Sequence, residues 1–296
     1  MKTQQNIFSI CGRRVWLVAG MAIAALLLLP GHGIAQSITL TNGGSSATID
    51  LGGSDGMNNW EVDTDPGVNQ LSSQWFYYSV NGSQVESIDT IGGLTYSVTG
   101  GDILDATYSD SLVTITVQYS LQGAGSGSGN ADILSDTATA TSVSSLSNLK
   151  VFEYANFDLL GNGNNNSISI SPAYGGPPLF PFEGYGGVSQ MNGATALSET
   201  IDSPYANFAE AGTAGGVLGD VKAGSTQDLN DNLSEGMGNN DVAWALEWSY
   251  QNVASGTTEN VLQDQQLSIG PVPEPSTFAL IALGLGAIAS FRRRSS

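Results

Sequence analysis

The chain has one cysteine, one histidine and few cations, and each scarcity excludes a class of chemistry. Cys11 and His32 both lie in the first 35 residues, which we expect to be removed as an export signal. Residues 36–271, called the body below, contain no arginine either. Disulfide bonds, cysteine nucleophiles, histidine bases, Ser-His-Asp triads and His or Cys zinc sites are therefore excluded from the body. Carboxylates, hydroxyls, amides, two lysines and backbone groups remain.

The few cations lie mostly outside the body. Six of the eight Lys and Arg residues precede residue 36 or follow residue 272, so the body keeps only Lys150 and Lys222. Of the 27 acidic residues only Glu274 lies outside, which leaves 26 acids and a formal charge of −24. Such a charge repels nucleic acid and anionic lipid headgroups and favours solubility. We therefore predict no nucleic-acid partner.

The N-terminal segment has the order of a secretory signal peptide. Lys2, Arg13 and Arg14 precede an apolar stretch over residues 15–29, and small residues lead to a cleavage site after Ala35. The alternative is an N-terminal membrane anchor, but about 15 apolar residues are few for a span that needs about 20. We predict that residues 1–35 form a signal helix that is cleaved.

Period-two alternation dominates the body and predicts β-strands. Residues 112–121 place Val, Ile, Tyr and Leu on one face and Thr, Gln and Ser on the other, and residues 242–250 place two tryptophans and a tyrosine on one face. Asn81-Gly82 between two strand-like runs is the strongest hairpin signal. Many short strands without a long amphipathic helix predict one all-β domain over residues 36–271, an antiparallel β-sandwich.

Two segments of the body leave alternatives open. The Gly/Ser tract at residues 121–130 is either an interdomain linker or a long hairpin loop, and strand-like sequence on both sides favours the loop. Residues 172–187 contain several prolines and aromatics and no regular pattern. They form either a loop across the end of the sandwich or an exposed contact surface.

Paired carboxylates are the one catalytic device that the composition still permits. Glycoside hydrolysis needs two of them about 5–10 Å apart. Glu153, Asp158, Glu183 and Glu247 lie nearest to aromatic residues. Because 26 acids meet aromatics by chance, we predict no catalytic residue and keep a secreted carbohydrate-active enzyme as the alternative.

Calcium is the only metal that this composition suits, because hard cations bind carboxylate and carbonyl oxygens. Residues 63–67 and 228–232 alternate acids and amides, but Pro66 interrupts the first segment and Leu233 replaces the glycine that an EF-hand loop requires. Ordinary Asx turns explain both segments. We predict no cofactor and no metal site, with calcium as the open alternative.

The last 25 residues combine three features in a fixed order. Pro273-Glu274-Pro275 comes first, an apolar run of about 14 residues follows to Phe291, and Arg292, Arg293 and Arg294 end it. The run covers about 21 Å as a helix, which suits a thin span, an interfacial segment or a buried C-terminal helix. Basic residues directly after an apolar segment hold that end in the cytoplasm, so we predict a transmembrane helix.

This tail resembles the PEP-CTERM sorting signal of exported Gram-negative proteins. The resemblance implies that exosortase, an integral membrane transpeptidase-like cysteine protease, recognises Pro273-Glu274-Pro275 and that residues 292–294 are a basic stop signal. It also implies export through the secretory translocon, transient anchoring in the inner membrane and release to the cell surface or the exopolysaccharide matrix. Processing near the motif would free the body from the helix.

The body resembles PEP-CTERM proteins of uncharacterised activity. The similar stretches are Asn59–Asp63, Gln74–Tyr78, Ser87–Gly92, Tyr154–Leu159 and Ala245–Trp248. The resemblance implies one all-β domain and no substrate. We therefore expect a non-enzymatic structural or exopolysaccharide-associated protein that contacts the polymer through aromatic residues of the segment 174–185.

Overall fold

A computed structural model describes residues 36–125, 132–174, 182–202, 204–236, 238 and 240–269. The predicted signal with Ala35 and the predicted tail with Pro273–Pro275 and Arg292–Arg294 lie outside these ranges. Within them, no helix is both long enough and apolar enough to span a membrane.

The described residues are mostly β-strand. In chain order the strands are β1 (Ser37–Asn42), β2 (Ser45–Asp50), β3 (Met57–Glu61), β4 (Ser73–Val80), β5 (Glu86–Ser87), β6 (Thr95–Thr99), β7 (Ile103–Ser109), β8 (Val113–Gln122), β9 (Asp132–Ser142), β10 (Leu146–Asn156), β11 (Ser167–Tyr174), β12 (Phe182–Asn192), β13 (Thr195–Ile201), β14 (Phe208–Thr213), β15 (Ser234–Glu235), β16 (Val242–Val253) and β17 (Thr258–Ser268). One α-helix, α1 (Ala214–Ala223), and two 3₁₀ turns, Ile88–Ile91 and Leu159–Gly161, complete the described elements.

The strands form two antiparallel sheets. Sheet A has the order β1-β2-β3-β4-β10-β16-β14, with β5 paired to β4, and sheet B has the order β15-β11-β12-β13-β17-β9-β8-β7-β6. Side chains of the two sheets meet in one core, for example where the Trp75 ring of sheet A packs edge-on against the Tyr108 ring of sheet B, with centroids 6.3 Å apart. The predicted antiparallel β-sandwich is confirmed.

Sheet B follows the alternation that the sequence predicts. Along β8 the apolar side chains are buried, whereas Thr, Gln and Ser between them are half-buried or exposed. Strand β17 has the same pattern, with buried residues at every second position from Val261 to Leu267. One face of this sheet therefore packs on the core and the other faces solvent, as in most antiparallel sheets.

The centre of sheet A is buried on both faces, which the alternation did not predict. Every residue from Val242 to Trp248 of β16 is buried, including Ala243, Ala245 and Glu247. The reason is α1, which packs against β10, β14 and β16 and buries Val217 and Val221. The small residues that alternate with the two tryptophans are therefore buried as well.

The turn predicted at Asn81-Gly82 is confirmed. Both residues have positive φ (55° and 72°), and the Ser83 amide donates to the Val80 carbonyl at 2.9 Å. This is the conformation for which Asn-Gly is preferred in hairpins. The second strand, β5, has only two residues and pairs with Tyr77 and Tyr78.

The strands on either side of each of the two open segments pair with each other. Strands β8 and β9, on either side of the Gly/Ser tract, pair antiparallel from Gln122 and Ile133 onward, as expected for a hairpin loop rather than a linker. The aromatic segment is more regular than predicted, because β11 and β12 pair up to Tyr174 and Phe182. Two register shifts interrupt this pairing, next to Pro172 and next to Tyr174.

We predict that Gly56→Ala destabilises the body more than Gly82→Ala. Both glycines have positive φ, so each substitution has a backbone cost of about 1–2 kcal/mol. A Cβ on Gly56 would come within 2.1 Å of the Trp75 ring, whereas a Cβ on Gly82 meets nothing within 4 Å. Overpacking should add about 1–3 kcal/mol at Gly56. Denaturant unfolding measures both, and equal losses would contradict the close packing of Trp75.

Candidate functional site

A shallow cleft of about 450 Å³ lies on β11, β12 and β13. Ser171, Gly187 and Thr200 are register partners across these strands, so they form one row on the same side of the sheet. Asp202 and Tyr205 also line the cleft. Ser171, Thr200 and Asp202 are exposed, which leaves hydroxyl and carboxylate groups free to contact a ligand.

Two glycines make the floor of the cleft flat. A Cβ on Gly187 would come within 2.9 Å of the Glu199 carbonyl oxygen. A Cβ on Gly186 would come within 3.1 Å of the Ala173 Cβ and 3.5 Å of the Tyr205 ring. Bare backbone therefore lies under the cleft, and the Tyr205 ring stands beside it.

Three aromatic side chains, which we call the aromatic ridge, continue from the cleft along the same hairpin. Tyr174 and Phe182 are direct partners of β11 and β12, with ring centroids 6.2 Å apart, and the Phe182 ring lies 5.3 Å from that of Tyr185. Tyr185 is buried, but Tyr174 is 58% and Phe182 is 53% exposed. These are the largest exposures among the large hydrophobic residues that the structure describes, and they provide rings for stacking.

The segment 174–185, which we expected to contact polysaccharide, contains the aromatic ridge but not the rest of the candidate site. Tyr174 and Tyr185 are the first and last residues of that segment, and the structure brings both close to Phe182. Tyr205 belongs to no strand-like or aromatic pattern, so no sequence signal places it at the cleft. Burial raises the pKa of Tyr185 to about 12, which keeps its phenol neutral.

The four acids that we considered for catalysis do not form a pair with each other. Glu183 is exposed on β12 of sheet B, and Asp158 follows β10. Glu153 and Glu247 are buried on the neighbouring strands β10 and β16. In the strand register, Glu247 lies opposite Phe152 and Glu153 lies opposite Leu246. Adjacent positions on a strand point to opposite faces, so Glu153 faces sheet B and Glu247 faces α1.

Glu247 is half of a buried ion pair. Its Oε1 lies 2.9 Å from Lys150 Nζ, which also donates to Asp228 Oδ1 at 2.8 Å and to the Gly224 carbonyl at 2.8 Å. Burial would lower the pKa of Lys150, but the bonds to Asp228 and Glu247 outweigh it and raise that pKa. The pair ties the loop after α1 to β10 and β16, so Glu247 has a structural role.

Glu153 lies with two acids that sequence reasoning missed. Asp136 of β9 and Glu199 of β13 face it from sheet B, and the three side chains are 0%, 0% and 2% exposed. Burial raises the pKa of Glu153 to about 7. A polymer has no access to carboxyls in the core, so this cluster is not a glycosidase site.

The segments considered for calcium form local turns instead. Asp65 accepts backbone and side-chain bonds from Val68 and Gln70, and the Asn230 side chain accepts the Asn232 amide at 2.9 Å, an Asx turn. Asp228 is bound to Lys150. In the ranges that the structure describes, no three His, Cys, Asp or Glu side chains are arranged to hold a metal ion.

We predict that Lys150→Met lowers the free energy of unfolding by about 3–5 kcal/mol, because it leaves the carboxylate of Glu247 buried without its partner. Lys222→Met is the matched control, since Lys222 is exposed on α1 and should change stability by less than about 0.5 kcal/mol. Urea unfolding at pH 7 measures both. Equal effects of the two substitutions would contradict the structural role of the ion pair.

Solved structures with a similar fold are distant in sequence. A bacterial glucoamylase complexed with acarbose has a TM-score of 0.51 at 10% identity, over 86% of this chain and 36% of that chain. The chain thus spans about a third of the glucoamylase's length. A galactose mutarotase related enzyme from Lactobacillus acidophilus has a TM-score of 0.49 at 8% identity, over 79% of this chain and 98% of that one. At these identities the likeness to the glucoamylase shows the fold alone.

The tail gives the clearest comparison. A search of curated proteins returned no match for the chain. Residues 271–294 match the family model described as the PEP-CTERM protein-sorting motif. The matched range includes Pro273-Glu274-Pro275 and Arg292–Arg294. The chain therefore carries a PEP-CTERM sorting motif, the signal of an exported protein that exosortase processes.

Proposed function

We propose that the body is a non-enzymatic protein of the cell surface or extracellular matrix that binds exopolysaccharide through the cleft and the aromatic ridge. The observation that carries this proposal is the pair of exposed rings, Tyr174 and Phe182, beside a flat cleft with a polar row. Sugar rings stack on aromatic faces, and their hydroxyls bond to groups such as those of Ser171, Thr200 and Asp202.

The negative charge of the body limits the class of polysaccharide that it can bind. With 26 acids against two lysines, the body repels anionic chains at low ionic strength. A neutral polysaccharide approaches without that barrier and can bind by stacking and hydrogen bonding. We therefore propose a neutral glycan as the ligand class.

The scarcity of catalytic groups supports binding over hydrolysis. The cleft has one exposed acid, Asp202, and the four acids considered from sequence lie apart. A glycosidase needs a protonated acid and an ionised partner on either side of one bond. The alternative, a secreted carbohydrate-active enzyme, is an outcome of the test below.

We predict that Tyr174→Ala with Phe182→Ala weakens retention of the chain on the host's own exopolysaccharide by about fivefold to 150-fold, because each of the two stacked rings contributes about 0.5–1.5 kcal/mol. Tyr96→Ala is the matched control, since Tyr96 is 41% exposed on the edge strand β6. A polysaccharide pull-down measures retention, and new reducing ends are assayed in the same samples.

Two outcomes would overturn the proposal. Equal retention of the ridge variant and the Tyr96→Ala control would show that the ridge does not bind. Release of oligosaccharide that stops on replacement of Glu183 or Asp202, two exposed acids, would establish the enzymatic alternative. Retention without new reducing ends supports binding.

We predict that mass spectrometry of the mature protein finds a C-terminus near Pro273–Pro275, without Arg292–Arg294, because exosortase processing removes the tail. Replacing the three arginines by glutamine should impair surface delivery, since basic residues hold that end in the cytoplasm. The fold of the body, read by circular dichroism, is the control and should not change. A mature chain that keeps residues 292–294, or normal delivery of the variant, would count against this sorting role.

A further inference from the structure

A polar row crosses the core side of sheet B. Strand register places Glu199 of β13 opposite Gln265 of β17, and Gln263 of β17 opposite Asp136 of β9. Asp136 in turn lies opposite Tyr119 of β8. All five residues are buried, so four neighbouring strands bring polar groups into the centre of the sandwich.

Sheet A closes this row with Gln74 and Glu153. The Gln74 amide donates to Asp136 Oδ2 at 2.7 Å and to Glu153 Oε1 at 2.8 Å. The Gln265 amide donates to Glu153 Oε1 at 3.3 Å and to Glu199 Oε2 at 3.2 Å. We call Asp136, Glu153 and Glu199 the carboxyl layer, because amides from both sheets link the three acids.

The layer has few donors for three carboxylates, since the side-chain amides of Gln74, Gln263 and Gln265 are the donors nearest to it among the described residues. One oxygen of each acid is buried and has no hydrogen-bond partner among the described residues: Asp136 Oδ1, Glu153 Oε2 and Glu199 Oε1. Ionised carboxylates accept several hydrogen bonds, whereas a protonated acid has a hydroxyl that donates. The geometry therefore suits carboxylic acids better than carboxylates.

No cation of the described ranges compensates the layer. Lys150 is bound to Asp228 and Glu247, and Lys222 is exposed on α1. The titratable groups on the core side of the neighbouring strands are Tyr119 of β8 and Tyr108 of β7, whose phenols are neutral, whereas Asp264 of β17 lies on the exposed face of sheet B. Buried charge without a partner is strongly unfavourable, and such a group neutralises itself by binding a proton.

We propose that the carboxyl layer is protonated in the folded body and makes the cohesion of the two sheets a pH-sensitive switch, which weakens as the pH rises. The inference is independent of the proposed function. It rests on the shared amides, the missing cations and the unpartnered oxygens. It assigns a role to three acids that neither the sorting motif nor the cleft uses.

The direction of the pH effect follows from proton linkage. Burial raises the pKa of Glu153 to about 7, and burial with the charge of Glu153 raises the pKa of Asp136 and Glu199 well above the ordinary range. Unfolded carboxyls titrate near pH 4. The folded state therefore holds more protons from about pH 4 upward, and its stability falls as the pH rises through 7. Between its pKa in the unfolded chain and its pKa in the folded chain, each such carboxyl increases the equilibrium constant of unfolding about tenfold per pH unit.

The test is urea unfolding of the purified full chain between pH 5 and 9. We expect the free energy of unfolding of the wild type to fall steadily as the pH rises. The slope of this free energy against pH counts the protons released on unfolding, and we expect Glu199→Gln and Asp136→Asn each to reduce that number by about one. Glu210, Asp158 and Glu247 also have pKa values raised by burial and contribute to the wild-type slope, so the difference between wild type and variant isolates the layer. Glu183→Gln is the control, because Glu183 is exposed and its replacement should leave the slope unchanged.

Several results would overturn the proposal. Stability that is flat or rises between pH 5 and 8, or variants that keep the full wild-type slope, would show that the layer is not protonated. Calcium that abolishes the pH dependence, with reversal by EDTA, would show that a metal rather than protons neutralises the layer. If the variants do not fold, infrared spectroscopy of the folded wild type at pH 6 decides instead. A carbonyl band of protonated carboxyl groups that disappears on unfolding and persists in a variant with Glu210→Gln and Asp158→Asn supports the proposal, and its absence from that variant contradicts it.

Discussion

The scarcity of cations is the constraint on which the rest of the structure depends. The body contains 26 acids and two lysines, so the carboxyl groups that the fold buries have few cations with which to pair. Lys150 neutralises one buried carboxylate, that of Glu247, and also binds the loop after α1. In the carboxyl layer, amide donors from Gln74 and Gln265 take the place of cations, and protons are the remaining means of neutralisation.

Local sequence patterns predicted the parts of the fold that depend on local rules. The alternation along β8 and the Asn81-Gly82 turn are examples, because pleating and positive φ are properties of a few neighbouring residues. The burial of both faces of β16 was not predictable in this way. It depends on α1, whose three glycines give weak helix propensity and no clear apolar stripe. Alternation also does not show that Glu153, between Phe152 and Tyr154, faces the core.

The candidate site was predictable to the same limited extent. A linear signal such as the sorting motif is read from consecutive residues, and so is the density of aromatics around Tyr174 and Tyr185. The contribution of Tyr205 and the meeting of Asp136 with Glu199 need strand register, which the sequence does not specify by itself. The two sites are also neighbours, because Glu199 faces the core while Thr200, the next residue of β13, lines the cleft.

Proton release on unfolding distinguishes protonated carboxyl groups in the core from carboxylates. Calorimetric unfolding at pH 6 in buffers of different ionisation enthalpy counts the protons that leave the protein, without any assumption about which interactions are lost. We expect the wild-type chain to release protons as it unfolds and Glu199→Gln to release about one fewer, because the layer is protonated only in the folded state. Proton uptake, no exchange, or identical release from the two proteins would contradict it.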